Sequence, residues 1–305
     1  MNKIVILGSS GLLGLNICLL LKNKFNIYPV VNKKKIKINK IKTYHLNISS
    51  QNEIKKFLKK IKPQFLINCV ALSDVEKCEQ NTKLTYKINS TLASNTAKIC
   101  NELSIHYTFI SSDHLYSGKK KFYKENDNVY PLNNYAKSKI LAEKNIMKNS
   151  NNYLIIRTNF FGFGPSFRQS FLDKIFKNFK NKEPITLFSD VFYSPIYLKQ
   201  LIKIIEILLK KNIKGVFNIV GNNRLTKYQF GNKIADKFNF EKKLLQKLYL
   251  KETVQKVLRP KDMSLSNKKI KKIIGDNSFF DLRNGMIQLY KDYNSNYYKE
   301  IKSIK

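Results

Sequence analysis

Seven residues near the start of the chain, Gly8-Ser9-Ser10-Gly11-Leu12-Leu13-Gly14, constrain its fold more than any other feature. They join an apolar run, Lys3 to Leu7, to a helical pattern, Leu12 to Lys22. In that context each glycine of the GxxGxxG spacing has its own use. Gly8 permits a tight turn, Gly11 lets the backbone approach a pyrophosphate, and Gly14 lets the helix pack closely on the strand. The helix N-terminus then presents unpaired N–H groups and a positive dipole to phosphate. The loop predicts a dinucleotide site at the first βα turn of an α/β fold.

The first half of the chain repeats the same alternation. Ile27 to Val31, Thr43 to Leu46, Phe65 to Val70, His106 to Ser111 and Tyr153 to Arg157 read as strands. Helical patterns over Asn52 to Ile61, Lys83 to Glu102 and Asn134 to Asn149 separate them. This order predicts a Rossmann-type, doubly wound parallel sheet, and the uninterrupted apolar strands fit burial on both faces. After Arg157 the pattern changes to helices over Ser170 to Lys180, Leu198 to Leu209, Thr226 to Phe238 and Asp281 to Tyr293. One further strand is expected over Gly215 to Val220. The expected division is a dinucleotide-binding Rossmann domain, 1–158, and a smaller C-terminal α/β substrate lobe, 159–305. Residues 190–220 are expected to return to the main sheet.

The net charge bears on partners. Lys and Arg number 57 against 21 Asp and Glu in 305 residues, a balance of +36. Only Arg157, Arg168, Arg224, Arg259 and Arg283 are arginines, and the lysines are spread from end to end. Sequence-reading nucleic-acid binders lean on the planar fork of Arg, so nucleic acid is not the expected partner. No apolar run approaches the roughly 18 residues that cross a bilayer, and Met1-Asn2-Lys3 does not open a secretory signal. Cys18, Cys69, Cys78 and Cys100 form no CxxC pair and read as reduced thiols of a cytoplasmic protein. His45, His106 and His114 lack ligand spacing, so no metal is expected.

Two further places carry chemistry. After the second strand, Asn32-Lys33-Lys34-Lys35 offers cations where an NAD site would offer an acid for the ribose 2′-OH. NADP(H) is therefore preferred, with NAD(H) as the alternative, and Asn32 and Lys33 are candidate contacts. Ser111 and Ser112 follow the His106 strand, at the edge where ligands of parallel sheets bind. Tyr135 and Lys139 stand i and i+4 on one helix face. A Lys ammonium beside a Tyr lowers its pKa from about 10, and the hydroxyl becomes a general acid toward a carbonyl receiving hydride. Ser112 would orient that carbonyl.

These residues resemble an extended short-chain dehydrogenase/reductase. Two stretches resemble the dTDP-4-dehydrorhamnose reductases within that group: Ile67 to Glu79, and Ile110 to Gly118 continued through Tyr123-Lys124-Glu125, Pro131-Leu132-Asn133 and Ile140 to Glu143. Arg157-Thr158, Asp190, Pro195, the Gly215 to Gly221 segment and Arg259-Pro260 extend the likeness over most of the chain. The resemblance implies that Ser10, Gly11, Leu12 and Leu13 lie at the pyrophosphate and that Asn47 and Ile48 flank the adenine. It implies that Cys69, Val70 and Ala71 line the cofactor, and that Tyr135 and Lys139 are catalytic and touch the nicotinamide ribose. Ser111, Ser112, Phe160 and Arg259 would meet the substrate. Asn47 stands where the family usually has Asp, Cys69-Val70 where it has small residues, His114 where it has Tyr, and Phe160 where it has Trp.

The implied activity is NAD(P)H-dependent reduction of a nucleotide-linked 4-keto-6-deoxy sugar, with a homodimer as the assembly to test. Dehydratases of the superfamily carry Asp-Glu after the catalytic hydroxyl, whereas this chain has Asp113-His114. An epimerase stays open. So does a non-catalytic NADP-binding role, because Lys214 to Asn218 and Leu225 to Tyr228 resemble the regulatory beta subunit of methionine adenosyltransferase.

Overall fold

The computed structural model describes residues 1–253, 257–275 and 277–305. Six strands of the first half are β1 (Lys3–Leu7), β2 (Asn26–Val31), β3 (Tyr44–His45), β4 (Phe65–Asn68), β5 (His106–Ile110) and β6 (Tyr153–Arg157). They form one parallel sheet with a seventh strand, Gly215–Asn218, which pairs with β6 from Gly215 opposite Leu154 to Asn218 opposite Arg157. From that edge the order runs through β6, β5, β4, β1 and β2 to β3. The direction of winding reverses between β1 and β4. Open parallel sheets bind ligands at the carboxyl ends of such a pair.

Both faces of the sheet are covered, as the doubly wound reading requires. Ile4 and Ile6 of β1 face one apolar cluster, while Val5 and Leu7 face the other. The second cluster holds helix α2 (Gln51–Ile61) and the helices Leu92–Glu102 and Asn134–Asn149. The first holds α1 (Leu12–Leu21) and the helix Leu198–Lys210, and it runs on without a break into Phe163, Phe176, Phe230 and Leu289. One core therefore crosses the position, 158/159, where the sequence pattern changes.

The structure departs from the sequence reading in several places, of which three stand out. The expected helix Lys83 to Glu102 has a π-helical turn, Lys87–Thr91, inside it. Ile185–Phe188 pairs in parallel with Leu245–Leu248, a strand pair with no sequence signal because each is short and the partners lie far apart. A terminal helix, Asn296–Ser303, follows the last one expected. Among the described residues, no helix is long and apolar enough to cross a membrane.

Candidate active site

The glycine turn is built as its spacing predicts. Gly8 sits at φ +80°, and a Cβ there would lie 3.1 Å from the Cys69 carbonyl carbon and the Val70 nitrogen. A Cβ on Gly14 would lie 2.4 Å from the Gly8 oxygen, which shows how tightly α1 sits on β1. Gly11 caps α1, with no side-chain cap bond and no acid in the first turn. The N–H groups of Leu12 and Leu13 thus open α1 without a competing carboxylate, which is the donor set a phosphate requires. This bare cradle fits the pyrophosphate of a dinucleotide.

The other cofactor candidates surround that turn unevenly. Cys69, Val70 and Ala71 leave the end of β4 directly opposite Gly8, and Asn68 Oδ1 accepts the Val70 N–H at 2.9 Å. Asn32 is half-buried and Lys33 exposed on the loop after β2, which Ile36 and Ile38 anchor in the core. Asn47 is exposed beyond β3, its side-chain oxygen accepting the Ser49 N–H at 3.1 Å, while Ile48 is buried. Ser10 is half-buried within the turn.

The reactive side chains gather at the end of β5. Asn133 caps the next helix, its oxygen accepting the Ala136 N–H at 2.9 Å, and Glu79 accepts the Asn134 N–H at 2.6 Å. That fixes Tyr135 and Lys139 one turn apart on the buried face of this helix. Ser112 lies beside Tyr135, its Oγ accepting the His114 N–H at 3.2 Å. Burial pushes the Tyr135 hydroxyl up to about 12, with Ser112 pulling against it and Asp113 adding to it. The sequence reading, in which Lys139 lowers this pKa, is therefore reversed in the protein itself, because desolvation exceeds every favourable contact. Lys139 Nζ donates to the Ile110 carbonyl at 2.8 Å and lies 4.5 Å from the centre of the Phe109 ring. Its burial lowers the ammonium pKa to about 8, against the pull of Glu143.

Ser111 is directed elsewhere. Its hydroxyl donates to Glu143 Oε1 at 2.5 Å, inside a buried network in which Arg157 Nη2 meets Glu143 Oε2 at 2.6 Å. Arg157 Nη1 also donates to the Tyr116 hydroxyl at 2.7 Å. Ser111 thus supports the helix of Tyr135 and Lys139, and Ser112 is the serine beside Tyr135. Phe160 is half-buried next to Asn159, whose amide donates to Asp113 Oδ2 at 2.6 Å. Arg259 is ion-paired with Glu76, which lowers the Glu76 pKa; burial lowers the His114 pKa, and the Arg259 charge adds to that lowering.

Several contributors escape sequence reasoning. Asn89, in the π-helical turn, donates to the Leu72 carbonyl and Ser138 Oγ, both at 3.0 Å, and accepts the Leu72 N–H at 2.8 Å. It ties the segment after β4 to the helix of Tyr135. Lys227 lies 3.5 Å from the Tyr193 ring centre, with Asp113 favouring its charged form against burial. The Tyr193 hydroxyl and His114 Nδ1 are buried without a partner. Glu143 left a trace in the sequence, as the i+8 member of the Tyr135 and Lys139 series, and His114 did so as a departure from the family pattern.

A glycine-cradled switch point with Ser, Tyr and Lys at the end of the following strands defines an extended short-chain dehydrogenase/reductase scaffold. The model of the family described as RmlD substrate binding domain matches residues 1–294, and the chain belongs to that family. It is 28% identical over 272 residues to the spore coat polysaccharide biosynthesis protein SpsK of Bacillus subtilis, covering 88% of this chain and 91% of that one. It is 25% identical over 236 residues to the methionine adenosyltransferase 2 subunit beta of Xenopus laevis, covering 75% of this chain and 70% of the relative. The crystal structure of the Bacillus anthracis dTDP-4-dehydrorhamnose reductase in complex with NADP superposes with a TM-score of 0.85. That alignment is 22% identical and covers 95% and 99% of the two chains.

Proposed function

We propose that this protein is an NAD(P)H-dependent reductase of a nucleotide-linked 4-keto-6-deoxy sugar. The observation that carries the reading is the placement of Ser112 beside Tyr135 at the end of β5, next to the β1–β4 switch point, with Lys139 one turn further along the same helix face. When bound, the dinucleotide supplies hydride to the ketone carbon. Ser112 and Tyr135 hold the ketone oxygen between two hydroxyls. Tyr135 is neutral at physiological pH, so it has a proton to give. As the carbon gains its C–H bond, that proton passes to the oxygen, leaving an alcohol and a phenolate. Lys139, charged below about pH 8, stabilises the phenolate until solvent returns the proton. The cations after β2, Lys33 and Lys34, favour the 2′-phosphate of NADPH. The relatives in polysaccharide biosynthesis support a sugar substrate.

Tyr135→Phe keeps the ring and removes the acid. Turnover of NADPH with a nucleotide 4-keto sugar should fall by about 10²- to 10⁴-fold, and near-normal turnover would refute the assignment. The likeness to the methionine adenosyltransferase subunit favours a second reading, a dinucleotide-binding partner protein. NADPH bound by the purified chain but oxidised with no 4-keto sugar would favour it.

A further inference from the structure

We propose that Arg168 grips the pyrophosphate of the bound dinucleotide from above the glycine turn. This rests on the dinucleotide reading given under Proposed function. A Cβ built on Gly11 would meet Arg168 Nη1 at 3.6 Å. Gly11 is the glycine whose missing side chain opens the turn to phosphate. The guanidinium therefore stands at the space that the bare Gly11 leaves for the ligand.

Its charge is not used by a carboxylate. Among the described residues, ion pairs engage Arg157 with Glu143, Arg224 with Asp262 and Arg259 with Glu76, and none engages Arg168. The first acidic residue in the sequence is Glu53, so the glycine turn, α1, β2 and the lysine loop bring no anion to it. A guanidinium, with its planar fork of donors, matches phosphate oxygens.

The backbone that carries Arg168 is held firmly against α1. Asn16 Nδ2, on α1, donates to the Phe163 carbonyl at 3.2 Å. The Gly164 N–H donates to Asp173 Oδ2 at 3.0 Å, and Lys302 Nζ donates to the Gly164 carbonyl at 2.8 Å. The Arg168 N–H closes the turn onto the Pro165 carbonyl at 3.0 Å. Next to it, Lys34 reaches across from the loop after β2 to within 4.7 Å of the Phe167 ring centre. An anchored loop with an exposed cationic head suits a clamp whose head turns onto the ligand while its base stays fixed. In this arrangement the dinucleotide is held by Gly11 and Arg168, 157 positions apart in sequence.

The test is fluorescence titration of the full chain with NADPH and with NADH. Pyrophosphate is common to both, so Arg168→Ala should weaken both by a similar factor, about 10- to 100-fold for a charged hydrogen-bonded contact. Arg168→Lys, which keeps charge but loses the fork, should fall between. Unchanged dissociation constants for both dinucleotides would overturn the proposal. A loss confined to NADPH would put the guanidinium on the 2′-phosphate and overturn it too. Thermal unfolding of each variant without ligand checks that the fold is kept. If the unaltered chain binds neither dinucleotide, the functional reading fails and this proposal with it. Tight binding that Arg168→Ala leaves intact refutes this proposal alone.

Discussion

Glu143 offers the sharpest test of how the site is supported. Its carboxylate is 3% exposed and accepts from Ser111 Oγ at 2.5 Å and from Arg157 Nη2 at 2.6 Å. Arg157 Nε adds contacts to the two carboxylate oxygens at 3.1 and 3.2 Å. Glu143→Gln preserves volume but removes the charge, leaving the Arg157 guanidinium, 7% exposed, without its counter-ion. Truncating one partner of such a buried pair costs about 3–5 kcal/mol. For a chain of 305 residues, unfolding entropy of about 2.1 cal/mol/K per residue converts this to a Tm loss of about 5–8 °C. Scanning calorimetry at pH 7 would read it. The companion variant, Glu143→Leu with Arg157→Met, replaces the whole pair by apolar side chains and should recover most of that loss, since burial then costs no unpaired charge. A Tm loss below about 1 °C in Glu143→Gln, or a double variant as unstable as the sum of its singles, would refute the reasoning.

Three further outcomes follow from the same geometry. Gly14→Ala places a methyl 2.4 Å from the Gly8 carbonyl oxygen, so α1 must lift from β1; Tm should fall by several degrees and dinucleotide affinity should drop, both read in one ligand-dependent melting series. Lys139 has its folded pKa lowered to about 8 from its ordinary 10.5, so stability should rise, relative to Lys139→Met, by about 3 kcal/mol as pH climbs from 8 to 10.5; parallel denaturation curves over that range would contradict it. Lys33→Ser with Lys34→Ser should narrow the preference for NADPH over NADH with little change for NADH, measured as dissociation constants, and an equal effect on both would remove the lysines from the 2′-phosphate.

The legible part of the fold was the part governed by local pattern. KIVIL, FLIN and YLIIR are short apolar runs that only a doubly covered strand explains, and the glycine turn and the i, i+4 pair have fixed spacings. What stayed hidden depends on contacts between distant segments. The direction of the Ser111 hydroxyl is set by Glu143, 32 residues on. The Tyr135 pKa is set by burial, which no spacing encodes. The π-helical turn arises where Asn89 finds partners on two other segments, and Arg168 lies in an irregular stretch whose approach to Gly11 exists only in three dimensions.

Helix α1 illustrates what such long-range closure means for the living chain. Eight of its ten residues are buried, and its Asn16 accepts from Tyr297, 281 positions downstream. During synthesis the glycine turn is made well before Asn296–Ser303, yet the helix behind it is sealed only when that segment arrives. Competence to hold a dinucleotide should therefore await the synthesis of that segment. A fusion or cut near residue 296 would reach the phosphate cradle at the opposite end of the sequence.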